Sequence, residues 1–229
     1  MRIVAIETSA KAASVALLED GKLVAQNMQN AGLTHSRTLL PMLHALLDGV
    51  GIEVKDVDKL AVAYGPGSFT GLRIGVATAK GLAWGLDKPL VGVSSLEAMA
   101  HQAVHLGDGI ICPVMDARRD QVYNALFECR NGTLRRLIED RAIAIEELFA
   151  QSGRESRYIL VGDGAIICRD WLTAHGGHAE LLPEHLVQQT AWGVAMAAMK
   201  LPGEEPSGIN PQYIRPSQAE RERTEKKEI

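Results

Sequence analysis

Apolar residues fall along this chain in two rhythms. RIVAI at 2–6, SVALL at 14–18 and LVAQNM at 23–28 are short strand-type runs, with Asp20-Gly21 between the last two. An Asp-Gly pair between apolar runs signals a hairpin, because both residues accept the positive φ of a tight turn. Three strands joined by tight turns are therefore predicted to open the chain. Leu39, Leu40, Met42, Leu43, Leu46 and Leu47 then recur at spacings of three and four, a helical stripe that Thr34 or Ser36 can cap. KLAVAY at 59–64 returns to strand, and a glycine-rich turn leads into a helix at about 70–86. PLVGV at 89–93 is a fifth strand, and Ser94 with Glu97 makes a capping box for a helix near 95–105.

The second half repeats that order. GIICPVM at 109–115 and QVYNALFE at 121–128 are strands, and Asn131-Gly132 turns into a third at 133–144. A short helix at 145–151, a strand at 158–161 and a helix at 165–175 follow. The repeat is one of element order, without sequence identity. It predicts an α/β fold of two lobes, 1–106 and 107–229, each a ribonuclease-H-like βββαβα unit, duplicated as in the actin-like (ASKHA) architecture. TAWGVAMAAMKL at 190–201 is apolar nearly all round, so a buried helix between the lobes is expected. The charged tail from about 217 reads as solvated chain.

Composition narrows the function classes. The 229 residues are 46% hydrophobic and 23% charged, an ordinary globular balance, and the net charge is −4. That charge argues against a protein held to nucleic acid by phosphate neutralisation. Cys112, Cys129 and Cys168 show no metal-ligand spacing and read as buried thiols in a reducing compartment. No apolar stretch approaches the ~20 residues of a membrane span, so a soluble cytoplasmic protein is expected.

The densest chemical signal is GPGSFTGLRIG at 65–75, between strand and helix. Glycines there permit positive φ and close backbone approach, and a helix N-terminus attracts anions. Thr70 can cap the helix and Ser68 can add a hydroxyl. The run is not a Walker A loop, a dinucleotide fingerprint or a hydrolase elbow. A tight βα turn and an anion site fit the spacing equally well. Gly71, Gly75 and Ala79 recur every four residues, as do Ala77 and Gly81, which gives the helix two nearly bare faces.

MRIVAIETS at the start, HSRTLLPML at 35–43, YGPGSFTGLRIGVATAKGLAW at 64–84, MDARRDQVY at 115–123 and YIRP at 213–216 together resemble the bacterial TsaB (YeaZ) family. The resemblance runs from Met1 to about Pro216. It implies a non-catalytic scaffold subunit that partners the catalytic paralogue TsaD and the small ATPase TsaE. That complex transfers a threonylcarbamoyl group to adenosine 37 of ANN-reading tRNAs (t6A biosynthesis). tRNA would be met through the complex, and a homodimer is implied when the chain is alone. The resemblance places the partner interface on the first two helices, at His35, Leu39, Met42, Leu43, Ile74, Ala77, Lys80 and Gly81. No catalytic residue and no required cofactor are implied, although ATP or ADP could sit at the boundary with the partner.

Some residues depart from the relatives or stay open. Actin-like sites usually carry Asp after the first strand; here Glu7 stands there, followed by Thr8 and Ser9. With Gly65, Gly67, Ser68 and Thr70 these make a weak or vestigial phosphate site. The catalytic paralogues carry a metal-binding HxxxH in the first helix, whereas His35 and His44 are too far apart to share a metal. His101 and His105 have HxxxH spacing but in another element, and His175 and His178 read as surface residues. Asp116, Arg118 and Arg119 could face RNA or the cleft, but a charged turn ordering its hairpin is favoured. The competing functions are a stand-alone actin-like nucleotide-binding protein or ATPase, and a metallopeptidase.

Overall fold

The computed structural model describes residues 1–152 and 157–215; the tail expected from about 217 lies outside them. Among the described residues ten strands form two five-stranded sheets. The first contains β1 (Arg2–Glu7), β2 (Ala13–Glu19), β3 (Lys22–Gln29), β4 (Lys59–Gly65) and β5 (Leu90–Ser94), in the order β3-β2-β1-β4-β5. The second contains β6 (Gly109–Arg118), β7 (Gln121–Arg130), β8 (Thr133–Ala144), β9 (Tyr158–Val161) and β10 (Ala179–Leu181), in the order β10-β9-β6-β7-β8. In each sheet the first three strands pair antiparallel and the last two run parallel to the first. The two lobes are therefore wired identically, and the fold is the two-lobed actin-like one. Asp20-Gly21 and Asn131-Gly132 form the predicted turns, all four residues at positive φ.

The helices are α1 (His35–Val50), α2 (Phe69–Leu86), α3 (Ser95–Ala103), α4 (Ile145–Ser152), α5 (Ala165–Ala174), α6 (Glu184–Val187) and α7 (Ala191–Ala198). α1 and α2 cover one face of the first sheet through Leu39, Met42, Leu43, Val76 and Ala79, packed on Val4, Ile6 and Val62. The opposite face is covered by α7, whose Ala191, Val194, Ala195 and Ala198 meet Ile3, Ala5, Ala61 and Val91. Meanwhile Leu96, Met99, Ala100 and Ala103 of α3 belong to the core of the second lobe. Each lobe thus lends its last helix to the other.

The 190–201 run forms α7, which lies between the first sheet and α3, the helix lent to the second core. A helix apolar all round has no outward face, so its neighbours are set by shape alone. At Gly193 a Cβ would collide with the Ala98 carbonyl, so α3 and α7 cross at backbone contact. Lys59 closes the other end of α7, its Nζ donating to the carbonyls of Ala198 and Leu201, both at 3.0 Å. A cation there meets the negative end of the helix dipole.

After α7 the chain runs back over the first lobe as a strap. Leu90 and Glu204 exchange backbone hydrogen bonds at 3.1 and 2.8 Å, and Ile209 is buried beside Leu90. Lys80 Nζ donates to the Ile209 carbonyl at 2.9 Å, and Gln212 N donates to the Tyr64 carbonyl at 2.7 Å. The strap, β10 and α6 have no counterpart in the sequence-based expectation.

Candidate functional site

A cleft of about 850 Å³ opens between the lobes above the carboxyl end of β1. The first lobe contributes the Ser9–Lys11 loop, the start of α1 and the glycine-rich turn. The second contributes Asp116, Arg118, Tyr123 and Asp163, and the strap adds Gln212–Arg215.

Glu7 ends β1 without exposed surface. Its Oε1 accepts a hydrogen bond from Ser9 N at 2.5 Å, while its Oε2 finds no partner among the described residues. Burial pushes the carboxyl pKa up to about 7, against the hydrogen bonding from Ser9 and with the help of the nearby Asp163 charge. Asp163 keeps surface open to the cleft, but the protein packed round its carboxyl raises its pKa; a hydrogen bond from Gln189 Nε2 at 3.2 Å opposes this.

Thr8 and Ser9, also fully buried, are the bed on which the glycine-rich turn lies. Thr8 Oγ1 donates to the Gly71 carbonyl at 2.9 Å, and Ser68 N donates to the Ser9 carbonyl at 2.6 Å. Added Cβ atoms would strike Ser9 from Gly67, Thr8 from Gly71 and Gly75, and the Gln212 carbonyl from Gly65. Gly65 and Gly67 also sit at φ of 141° and 155°. These glycines let the protein's own backbone come close.

The cap of α2 is Ser68, whose Oγ accepts from Gly71 N at 3.2 Å; Thr70, expected to cap, is exposed one residue inside the helix. The amides of Ser68 and Gly71 are thus already spent within the chain. Similarly, Thr34 precedes α1 without a side-chain cap bond. Ser94 caps α3 as expected, accepting from Glu97 N at 3.2 Å, but Glu97 reaches Arg136 instead of completing the box.

The residues expected at a partner surface divide. Leu39, Met42 and Leu43 are 1%, 2% and 4% exposed, so they hold α1 to its own sheet and cannot meet a partner. A stripe at helical spacing looks the same whichever surface it faces, and here the sheet claims it. His35 is half-buried, with Nε2 2.8 Å from the Ala10 carbonyl, which ties α1 to the β1–β2 connection. Ala77 and Gly81 are exposed, Ile74 and Lys80 half-exposed, and Trp84 has 59% of its surface open with Lys80 Nζ 5.5 Å from its ring centroid.

Sequence patterns missed an aromatic cluster at the cleft mouth. Phe69 stacks on Tyr213 at 4.3 Å between centroids. The Arg73 guanidinium lies 3.9 Å over Phe69, and its Nε donates to Tyr213 Oη at 2.9 Å. Arg215 Nη1 crosses the cleft to the Ala117 carbonyl at 3.0 Å. YIRP pointed to this segment only through family resemblance, because no periodicity marks it.

At the β6–β7 turn Arg118, Arg119 and Asp120 are all left-handed, and Asp116 Oδ1 accepts from Arg118 N at 2.7 Å. Asp116 therefore orders the hairpin while lining the cleft. The His101/His105 pair does not share a helix: α3 ends at Ala103 and His105 lies in the following 3-10 turn. His175 and His178 are exposed, the former stacked on Trp171 at 3.9 Å. Among the described residues no group of three or more His, Cys, Asp or Glu could hold a metal. The cysteines are buried free thiols, and burial pushes Cys168 up to about 12. No helix among the described residues is long and apolar enough to cross a membrane.

The chain is 39% identical over 160 residues to the tRNA threonylcarbamoyladenosine biosynthesis protein TsaB of Bacillus subtilis, covering 70% of this chain and 69% of that one. It belongs to the TsaB (YeaZ) family. The Escherichia coli family member is 35% identical over 167 residues, 72% of each chain. The solved structure of YeaZ from Pseudomonas aeruginosa superposes with a TM-score of 0.76 at 27% identity, covering 93% of this chain and 99% of that one. Residues 28–190 also match the model of the TsaD family, tRNA N6-adenosine threonylcarbamoyltransferase.

Proposed function

We propose that this chain serves tRNA threonylcarbamoyladenosine biosynthesis as an accessory subunit that docks the catalytic paralogue TsaD on the outer face of α2. The observation that carries this reading is the state of that face. Ala77 and Gly81 leave a shallow bare strip in open solvent, and Trp84 stands beside it largely uncovered. A helix of the partner can approach such a strip closely, and an exposed tryptophan is a strong anchor once buried. The cleft supports the accessory role. Its glycine-rich turn spends the Ser68 amide on the Ser9 carbonyl and the Gly71 amide on the Ser68 hydroxyl, which leaves neither for a phosphate. In the same reading the small ATPase TsaE and tRNA are met through the complex, and the α2 face closes a homodimer when the partner is absent.

The test is a reconstituted tRNA modification assay with TsaD, TsaE and a threonylcarbamoyl-adenylate source, run with and without this chain. Modification should depend on the chain. Ala77→Trp, placed on exposed surface, should leave the monomer folded while abolishing co-elution with TsaD. Full modification without the chain would sink the accessory role, and co-elution of the variant would move the interface elsewhere.

A further inference from the structure

Beyond the cleft the lobes meet again, where the end of β5 faces β8. Ser94 Oγ donates to Asp140 Oδ2 at 2.5 Å. Arg136 donates through Nη1 to Asp140 Oδ1 at 2.6 Å and through Nη2 to Glu97 Oε2 at 2.8 Å. Its guanidinium also lies 4.6 Å over the Phe127 ring. The Asp140 side chain is only 9% exposed and that of Arg136 21%, so water screens these contacts weakly.

The position of this network matters more than its strength. The chain crosses between lobes through two connections. β5 ends at Ser94 and α3, already part of the second core, begins at Ser95, so no linker intervenes. The return crossing is the segment before α7, where Gln102 of α3 donates to the Gln188 carbonyl at 2.9 Å and accepts from Thr190 N at 3.2 Å. A hinge needs a few residues free to change φ and ψ. Here the residue at the first crossing is at once the cap of α3 and the partner of Asp140. The Ser94–Asp140 bond joins the second sheet to the last residue of the first, and Arg136, itself tied to Glu97 at the start of α3, holds the Asp140 carboxylate in place for it.

We propose that the Ser94–Asp140–Arg136–Glu97 network is a latch that fixes the angle between the lobes, so that the cleft keeps one width whether or not anything fills it. The chain then presents its surfaces as a rigid body. This does not depend on which partner it binds.

The inter-lobe distance can be measured by pulsed electron resonance between nitroxides on Lys22→Cys and Thr133→Cys, exposed positions on opposite lobes; the native thiols are buried. The latched chain should give one narrow distance distribution. Arg136→Ala should add a second, displaced population or broaden the first, with circular dichroism confirming that the variant is folded. A folded Arg136→Ala with an unchanged distribution overturns the latch, even if its melting temperature falls, because the network would then only stabilise. Should Arg136→Ala not fold, Asp140→Ala, which removes the acceptor of the Ser94 bond itself, carries the same comparison with the same two outcomes.

Discussion

α1 and α2 lie on one face of one sheet and are built in opposite ways. α1 puts its large residues inward: Leu39, Met42, Leu43, Leu46 and Leu47 are all buried. α2 buries Leu72, Val76 and Ala79 too, but it sets Gly71 and Gly75 directly over Thr8 and has small residues outward as well, at Ala77, Gly81 and Gly85. The first helix is held by volume, the second in good part by closeness of backbone. A helix held by volume has spent its apolar surface. One held by closeness can be bare on both sides, and its outer side stays available.

The contrast can be broken most forcefully on α1. Leu39→Ala should cost about 2–5 kcal/mol, the range for a buried leucine that leaves a cavity. Leu40→Ala, one residue away and 54% exposed, should stay within about 0.5 kcal/mol. Urea midpoints measure both, and equal losses would mean that α1 does not face the sheet as described.

Next in size is Glu7, beside the bed on which α2 rests. Its carboxyl titrates near 7 when folded, against 4.5 for the free side chain. The folded state therefore holds the proton more tightly. The stabilisation is full below the unfolded value and is lost as pH rises through the folded one. Between pH 5 and pH 8 the wild type should lose roughly 2–3 kcal/mol more than Glu7→Gln. Parallel pH profiles of the two proteins would show that Glu7 is not a buried acid.

α2 itself supplies the smaller effects. Gly71→Ala drives a methyl into the Thr8 carbonyl and should cost about 1–3 kcal/mol. Gly81→Ala meets open space on the same helix and should gain about 0.5–1 kcal/mol through helix propensity. Thermal melts of the pair compare the inner and outer faces directly, and a shared sign would erase the distinction between them.

Much of the fold was legible because its signals are local. Asp20-Gly21 and Asn131-Gly132 declare their turns, and β9 is a short apolar run with clear limits, found at 158–161 as expected. The identity of the lobes followed from element order alone. What stayed hidden depends on tertiary neighbours. The apolar stripe of α1 could not say whether its partner is a sheet or another protein. The all-apolar 190–201 run could not say which sheet it covers. The choice of Ser68 over Thr70 as cap depends on where the chain turns, which Ser9 determines through the Ser68 amide. The strap is extended chain held by single contacts such as Ile209 and Gln212, and no repeat of spacing announces it.

The exchange of α3 and α7 has a consequence for the order in which the chain becomes a protein. β1 through β5 are complete by Ser94, yet the face around Ile3, Ala5 and Val91 stays uncovered until Ala191–Ala198 arrives. On a ribosome adding about 5–20 residues per second, the nascent first sheet waits several seconds with one apolar side bare. During that interval it is a substrate for chaperones, and a fragment ending near residue 106 would remain one indefinitely.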